Sequence, residues 1–434
     1  MRGESTLRLL VVSQSVSQLG SGLTSFGVGV WIFQVTGSAT WFALLSFSYL
    51  APRVVVLPLA GEWVDRFDRR RLMLWGDLGS GLCTAGVLLA LMTWEAPYAL
   101  ICVLLALSSA FSSLQGLSFQ ASVALLVPKE RLGQANGWLQ TGDSVALLLA
   151  PLAGGFLLAA AGLRGLVILD LLTFLVAVAV LWWVRFPRGS RGAGDRSPAS
   201  GGEPGFWRRA TYGWRYLRSR PGLLGLLGVF AGANFCLGVL QALLTPLILT
   251  LNNDERVLGT TLFVAGLGLL VGGVLMAVTG GYRKRIVAIF AAVGIQGVVL
   301  LVGGPFRSPM VLAGAAFIYM FAAAVANASS QVLWQSKVAL DRQGRVFAVR
   351  RLVALSAMPL AYPFAGVLAD RLFEPLLMAE GWLAPWLGGI YGVGEGRGMG
   401  LLFSLLGVLL LLLAAAGYTH PRVRRLESEM PDAH

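Results

Sequence analysis

Charge is scarce in this chain of 434 residues. Asp, Glu, Lys and Arg together make up 13% of it, against roughly a quarter in a soluble domain. A soluble chain of this length divides into two or three domains with polar surfaces, and this composition cannot cover them. Histidine is scarcer still. His420 and His434 are the only two, both in the C-terminal tail, which excludes a histidine-based hydrolase and a histidine metal centre. The three lysines, Lys129, Lys284 and Lys337, all lack the Gly-x4-Gly context of a phosphate-binding loop, so an ATP-driven pump is excluded. Cys83, Cys102 and Cys236 lie in apolar segments with no pairing pattern and read as small core residues rather than disulfides or ligands. Neither a metal nor a cofactor is expected.

What the chain does have is apolar sequence, 56% of its residues, in windows near 20 that recur along nearly its whole length. Such windows predict an all-α, multi-pass membrane protein in contact with the lipid bilayer. Twelve spans can be drawn. The first six are Leu7 to Phe33, Trp41 to Ala60, Leu72 to Thr93, Pro97 to Leu126, Gln134 to Ala160 and Leu166 to Val184. The second six are Leu223 to Leu251, Leu258 to Gly280, Ile286 to Gly303, Met310 to Gln335, Val346 to Ala369 and Met399 to Gly417. The first segment is too long for a cleavable signal peptide and lacks a cleavage motif, so it reads as a span.

A formal net charge of +13 suggests nucleic acid in a soluble protein, but its distribution argues otherwise. Most Lys and Arg fall in alternate loops: Arg66 to Arg71, Lys129 to Arg131, Arg185 to Arg220, Arg283 to Arg285, Lys337 to Arg351 and Arg422 to Arg425. The intervening loops hold Arg164, Arg256, Arg307, Arg371 and Arg397. This bias predicts that both termini are cytoplasmic and that nucleic acid is not a partner. Two six-span bundles are expected, residues 1–184 and 221–434, joined by a cytoplasmic linker, 185–220. The linker is Gly-, Ser-, Pro- and Arg-rich from Pro187 to Gly205. Beyond it, Trp207, Ala210, Trp214 and Leu217 recur at helical spacing among arginines and predict an amphipathic helix at the membrane surface. An offset of 211 places Gly133 on Gly344 and Gly155 on Gly366, a weak internal repeat of the kind that builds a central site from two halves.

The loop after the second span reads Gly61-Glu62-Trp63-Val64-Asp65-Arg66-Phe67-Asp68-Arg69-Arg70-Arg71. Glycine, an acid four residues on, then arginines: the stretch resembles the loop signature of the major facilitator superfamily, departing from it at Trp63 and Asp68. The resemblance extends to the span number and the basic central loop. It implies the major facilitator fold and a gating role for Gly61, Asp65, Arg66, Asp68, Arg69 and Arg70. Asp65 would sit at the N-terminal end of the eleventh helix, where a carboxylate is stabilised, and Arg69 would pair with Glu130. Anchoring of topology by positive charge alone is the simpler alternative.

The fifth span partly matches the family's drug–proton antiporter motif at Gly137, Pro151, Gly154 and Gly155, with Ala146 and Ala150 in place of two glycines. The resemblance implies export, with small residues packing this helix across the domain interface. The family's fourth-span arginine is absent; Ser112 stands at its spacing before Gly116. Gly366-Val367-Leu368-Ala369-Asp370-Arg371 copies the loop signature but falls after the eleventh span, on the outside, where topology argues against a second gate. Within the superfamily, the Asp65-to-Arg70 run and Asp77 resemble the macrolide-efflux and enterobactin-exporter branch.

Charges inside spans are functional candidates. Arg53 and Asp77, about 12 and 8 Å from the cytoplasmic helix ends at 1.5 Å per residue, are expected to pair, as are Arg164 and Asp170. Asp143, about 13 Å deep with no cation nearby, is the expected proton-coupling carboxylate, with Asp77 the second candidate. The substrate pocket is expected to draw on Gln14, Gln18, Phe111, Gln115, Phe119, Asn234, Gln241, Asn327 and Gln331, an amide-lined and aromatic set suited to an amphipathic, mostly uncharged molecule. Each could equally be an interhelical hydrogen-bond partner. The expected function is efflux of such a small molecule by a monomeric proton-coupled transporter of a bacterial inner membrane. A lipid exporter, an uptake permease, and a receptor or channel are the alternatives.

Overall fold

The computed structural model describes residues 2–93, 97–127, 131–184 and 214–429. Ten of its helices are long and apolar enough to cross a membrane, among the described residues. Two more complete a set of twelve. The first is α1, Arg2–Thr36, which carries Ser13, Gln14, Ser17, Gln18, Ser21 and Thr24 along its length. The other arises because the run Leu132–Trp183 holds two helices, broken at Gly162, whose φ of 68° admits glycine without strain. These are α5 (132–161) and α6 (163–183).

The remaining long helices are α2 (Ala39–Arg66), α3 (Arg69–Ala90) and α4 (Tyr98–Leu126), then α7 (Pro221–Asn252), α8 (Glu255–Thr279) and α9 (Arg285–Gly303). The set closes with α10 (Pro309–Lys337), α11 (Leu340–Leu368) and α12 (Arg397–Thr419). Local signals set several ends. Asp68 caps α3 by accepting from the Arg71 amide at 3.0 Å, and Asp254 caps α8 by accepting from the Arg256 amide at 2.8 Å. Gly280, left-handed at φ 70°, ends α8.

The described residues form two compact units. One comprises those within Met1–Gly37 and Leu44–Glu203; the other comprises Ser38–Ala43 and those within Pro204–His434. In the first unit α1 packs on the α5–α6 run and α3 on α4. Leu7, Leu10, Met73, Phe119, Val123 and Leu181 form its core at one end. Arg70 ties that end together, donating to the Leu181 and Trp182 carbonyls at 3.2 and 2.6 Å, where a cation meets the negative end of α6. In the second unit α8 packs on α10, α9 on α10 and α12, and α7 on α11.

Large apolar side chains stay exposed along the spans, among them Leu82, Leu147, Leu175, Val278 and Met310. In water such a surface aggregates; against lipid it is the solvated face. Exposed tryptophans flank it, Trp182 and Trp183 at the end of α6 and Trp382 and Trp386 between α11 and α12, as interfacial aromatics do. Of the expected amphipathic helix, 214–218 is helical, with Leu217 buried and Trp214 exposed. Trp207 and Ala210 lie outside the described residues.

Candidate functional site

The first unit contains a buried chain of polar side chains drawn from three helices. Gln115 Nε2 on α4 donates to Gln14 Oε1 on α1 at 2.6 Å, and Gln14 Nε2 donates to Asp77 Oδ2 on α3 at 3.1 Å. All three residues are buried, Asp77 to 3% exposure. The local sequence makes this approach possible. A Cβ on Gly76 would stand 2.6 Å from Gln115 Cβ and 2.9 Å from the Phe111 carbonyl, so only glycine lets α4 come close enough beside Asp77. One turn further along α3, the Ser80 hydroxyl lies 2.8 Å from both the Ser108 and the Ser112 hydroxyls. Ser112, in the place of the family's arginine, thus joins a neutral cluster.

The two expected ion pairs do not form. Arg53 Nη2 donates to the Tyr49 hydroxyl at 2.6 Å, and its guanidinium lies over the Tyr49 ring. One turn of α2 therefore satisfies it locally, while Asp77 faces α1. Arg164 donates at 3.5 Å to the Leu91 carbonyl. Asp170 is instead buried against α1 and accepts from the Ser21 hydroxyl at 3.4 Å. Gln14 and Ser21 are two helical turns apart, so one face of α1 serves both buried acids.

The other candidates scatter. Asp143 is exposed on α5. Of the antiporter-motif positions, Gly154 packs on the Phe26 ring and Ala150 on Gly22, both of α1, while Gly137 has open space beside it. Gly154 and Ala150 thus face α1 of their own unit. Gly155 is buried and Pro151 half-buried. Of the expected pocket residues, Phe119 belongs to the core and the Phe111 ring lies on Gly79. Gln18, Gln241, Asn327 and Gln331 are exposed, and Asn234 is half-buried. The Tyr362 hydroxyl donates to Gln241 Oε1 at 3.0 Å.

Of the loop signature, the side chains of Gly61, Asp65, Arg66 and Glu130 lie outside the described ones. Asp68 is the cap of α3. Arg69 Nη1 donates to the Ala121 carbonyl of α4 at 2.8 Å, so Arg69 and Arg70 fasten α3 to the ends of α4 and α6.

Sequence reasoning missed Arg350, counted with the basic loop although it lies four residues inside the drawn eleventh span. Its guanidinium donates to Gln331 Oε1 at 2.8 Å and Ser330 Oγ at 3.3 Å and lies over the Trp334 ring. A cation therefore orients one of the expected pocket amides.

Comparison with known proteins agrees with this architecture. The family profile described as Major Facilitator Superfamily matches residues 10–362. Macrolide efflux protein A of Streptococcus pyogenes is 27% identical over 369 residues, 83% of this chain and 88% of that protein. Multidrug efflux pump Tap of Mycolicibacterium fortuitum is 24% identical over 429 residues, 97% of each. Among solved structures, an inward-facing, unoccupied bacterial homolog of the human lysosomal transporter Spinster superposes with a TM-score of 0.67 over 95% of each chain at 17% identity, a likeness of fold.

Proposed function

The chain belongs to the Major Facilitator Superfamily, and from that premise we propose that it is a proton-coupled exporter of an amphipathic small molecule, such as a macrolide, working by alternating access. It is a multi-pass membrane transporter rather than an enzyme. The reading places it in a bacterial inner membrane as a monomer, with both termini in the cytoplasm, exchanging substrate for protons. The relatives named for macrolide and multidrug efflux favour export over uptake.

One observation carries the coupling step: the Asp77–Gln14–Gln115 chain. An ionised carboxylate at the centre of a span costs about 2.5–3.5 kcal/mol, and a bound proton removes that charge. Ionised Asp77 accepts from the Gln14 amide. Protonated Asp77 can donate to the Gln14 carbonyl once that amide rotates, and Gln115 must then rotate too, so that its carbonyl accepts from Gln14. The protonation state is thereby read out as a rearrangement joining α1, α3 and α4. Asp170 of α6, bonded to Ser21 on the same face of α1, offers a second proton stop.

Each unit offers exposed amides to a substrate, Gln18 in the first and Gln241, Asn327 and Gln331 in the second. Amides exposed within spans are poorly accommodated by hydrocarbon and are suited to a water-filled path. A second reading gives coupling to Asp143, favoured by its exposure within a span.

Inside-out vesicles loaded with the purified protein and given a pH gradient separate these readings. Asp77→Asn, which keeps an acceptor for Gln14, should abolish gradient-driven macrolide accumulation while leaving downhill equilibration, and Asp143→Asn should retain accumulation. The opposite pattern transfers coupling to Asp143. Accumulation that ignores the gradient in the unsubstituted protein refutes proton coupling.

A further inference from the structure

Within the first unit, α1 meets α6 through oxygen atoms. Gly20, Ser21 and Thr24 lie on one face of α1 at helical spacing. Opposite them on α6 stand Asp170 and, one turn on, Thr173. Asp170 is 1% exposed and Thr24 2%; Ser21 and Thr173 are half-buried. Gly20 lets the helices close. A Cβ there would stand 2.9 Å from Asp170 Oδ1 and 3.2 Å from Asp170 Cα, and it would overlap the Thr173 hydroxyl. The carboxylate and that hydroxyl therefore converge on the space a methyl group would fill. Thr173 Oγ1 spends its proton on the Asp170 backbone carbonyl at 2.7 Å, which leaves its lone pairs for another partner.

Two groups in this cluster are poorly satisfied. The bond that Asp170 accepts from Ser21 is long, 3.4 Å, and among the described residues no cation is bonded to it; Arg164 donates to Leu91 instead. Asp170 lies about 12 Å along α6 from Gly162, at 1.5 Å per residue, and an ionised carboxylate within a span needs a counter-charge. Thr24 is the second. Its Oγ1 lies close enough to act on the carboxylate, yet it is buried without a hydrogen bond of ordinary geometry. A buried hydroxyl left that way is costly, and a cation engages its lone pairs.

We propose that Asp170, Ser21, Thr24 and Thr173 form a binding site for a single sodium ion between α1 and α6. The donors are all oxygens, the set a hard cation takes, and such an ion needs neither histidine nor cysteine. Its charge matches that of the carboxylate, whereas a divalent ion would leave a net positive charge buried in the span. Cavity size and ligand number set selectivity among hard cations. A carboxylate and three hydroxyls around a methyl-sized space suit Na+ better than the larger K+. The bound ion neutralises Asp170, engages Thr24 and joins α1 to α6. Na+ and a proton are alternative occupants of this carboxylate. The site is separate from the coupling role given to Asp77, which is bonded to Gln14 two turns back along α1.

The test is equilibrium binding of radioactive sodium to the purified full-length protein in lipid nanodiscs. Excess KCl covers non-specific sites, and a single alkaline pH keeps protons off the carboxylate. The unsubstituted protein should bind Na+ saturably, and Asp170→Asn should abolish that binding. Thr24→Val keeps the side-chain shape but removes the oxygen, and should weaken the apparent affinity by about tenfold. Thr24→Ser should restore it. The two Thr24 variants carry the test if Asp170→Asn does not fold. In thermal unfolding, NaCl should raise the transition temperature of the unsubstituted protein above that in KCl at equal ionic strength, as a ligand of the native state does. Thr24→Val should shrink that difference. Absence of saturable Na+ binding refutes the site, as does binding that survives Asp170→Asn or is equal in Thr24→Val and Thr24→Ser. Binding lost in Asp77→Asn but kept in Asp170→Asn moves the ion to Asp77 and overturns the assignment. None of these outcomes bears on gradient-driven accumulation in the Asp77→Asn vesicles, so the sodium site and proton coupling fail separately.

Discussion

Replacing Gln14 by Leu should be the most costly neutral substitution in the first unit, because Gln14 is the middle member of the buried chain. It donates to Asp77 and accepts from Gln115, so Leu removes both bonds and strands a carboxylate oxygen and an amide in one step. Interhelical hydrogen bonds in membrane proteins average about 0.6 kcal/mol with a maximum of about 1.7. A buried group left without a partner costs about 1–3 kcal/mol. The substitution should therefore destabilise by about 2–4 kcal/mol. Gln115→Leu removes one bond and should cost about 1 kcal/mol. The double substitution should cost about as much as Gln14→Leu alone, because the bond from Gln115 is already lost. Thermal unfolding in detergent, followed with a thiol-reactive dye, suits the measurement, since the three cysteines are buried until the helices separate. Equal losses for the two single variants, with a double variant equal to their sum, would refute the chain as drawn.

Two further substitutions follow from the packing around that chain. Gly76→Ala inserts a Cβ 2.6 Å from Gln115 Cβ and should destabilise by about 1–3 kcal/mol, with weakened gradient-driven transport. Gly116→Ala, with open space beside it, should be close to neutral in both assays. Asp68→Ala removes the cap of α3 and should cost about 1 kcal/mol. Asp68→Asn should restore most of that stability, and neither variant should alter proton coupling if capping is the whole role of Asp68.

The architecture was legible because membrane spans write themselves as long apolar runs. The twelve drawn spans correspond to the twelve helices, including the pair that Gly162 separates inside one continuous run. The positions of individual charges were not legible. Arg53 and Asp77 lie at similar depths, yet depth carries no information about azimuth: Arg53 turns to Tyr49 on its own helix and Asp77 turns to Gln14. Arg164 and Asp170 failed to pair for the same reason. Gln14 and Gln115 appeared among the pocket residues since an amide in a span reads alike whether it bonds to a substrate or to a neighbouring helix. Only burial separates them from Gln18 and Gln331, which are exposed. Arg350 was hidden by company, lying beside a basic loop whose charges explain themselves as topology signals.

The Gly366-to-Arg371 stretch shows what such a motif encodes. Glycine and an acid four residues on lie on one face of a helix. The glycine admits another backbone, and the acid reaches its first-turn amides. Nothing in that arrangement depends on which side of the membrane it occupies, so a topology argument is the wrong filter for it. The useful question is whether a helix N-terminus lies within reach, and for Asp370 one does. Asp370→Ala should therefore lower stability in thermal unfolding by about 1 kcal/mol, the scale of a lost helix cap, because it frees the Ala39 and Thr40 amides together. An Asp370→Ala variant that unfolds at the unsubstituted temperature would refute the capping role.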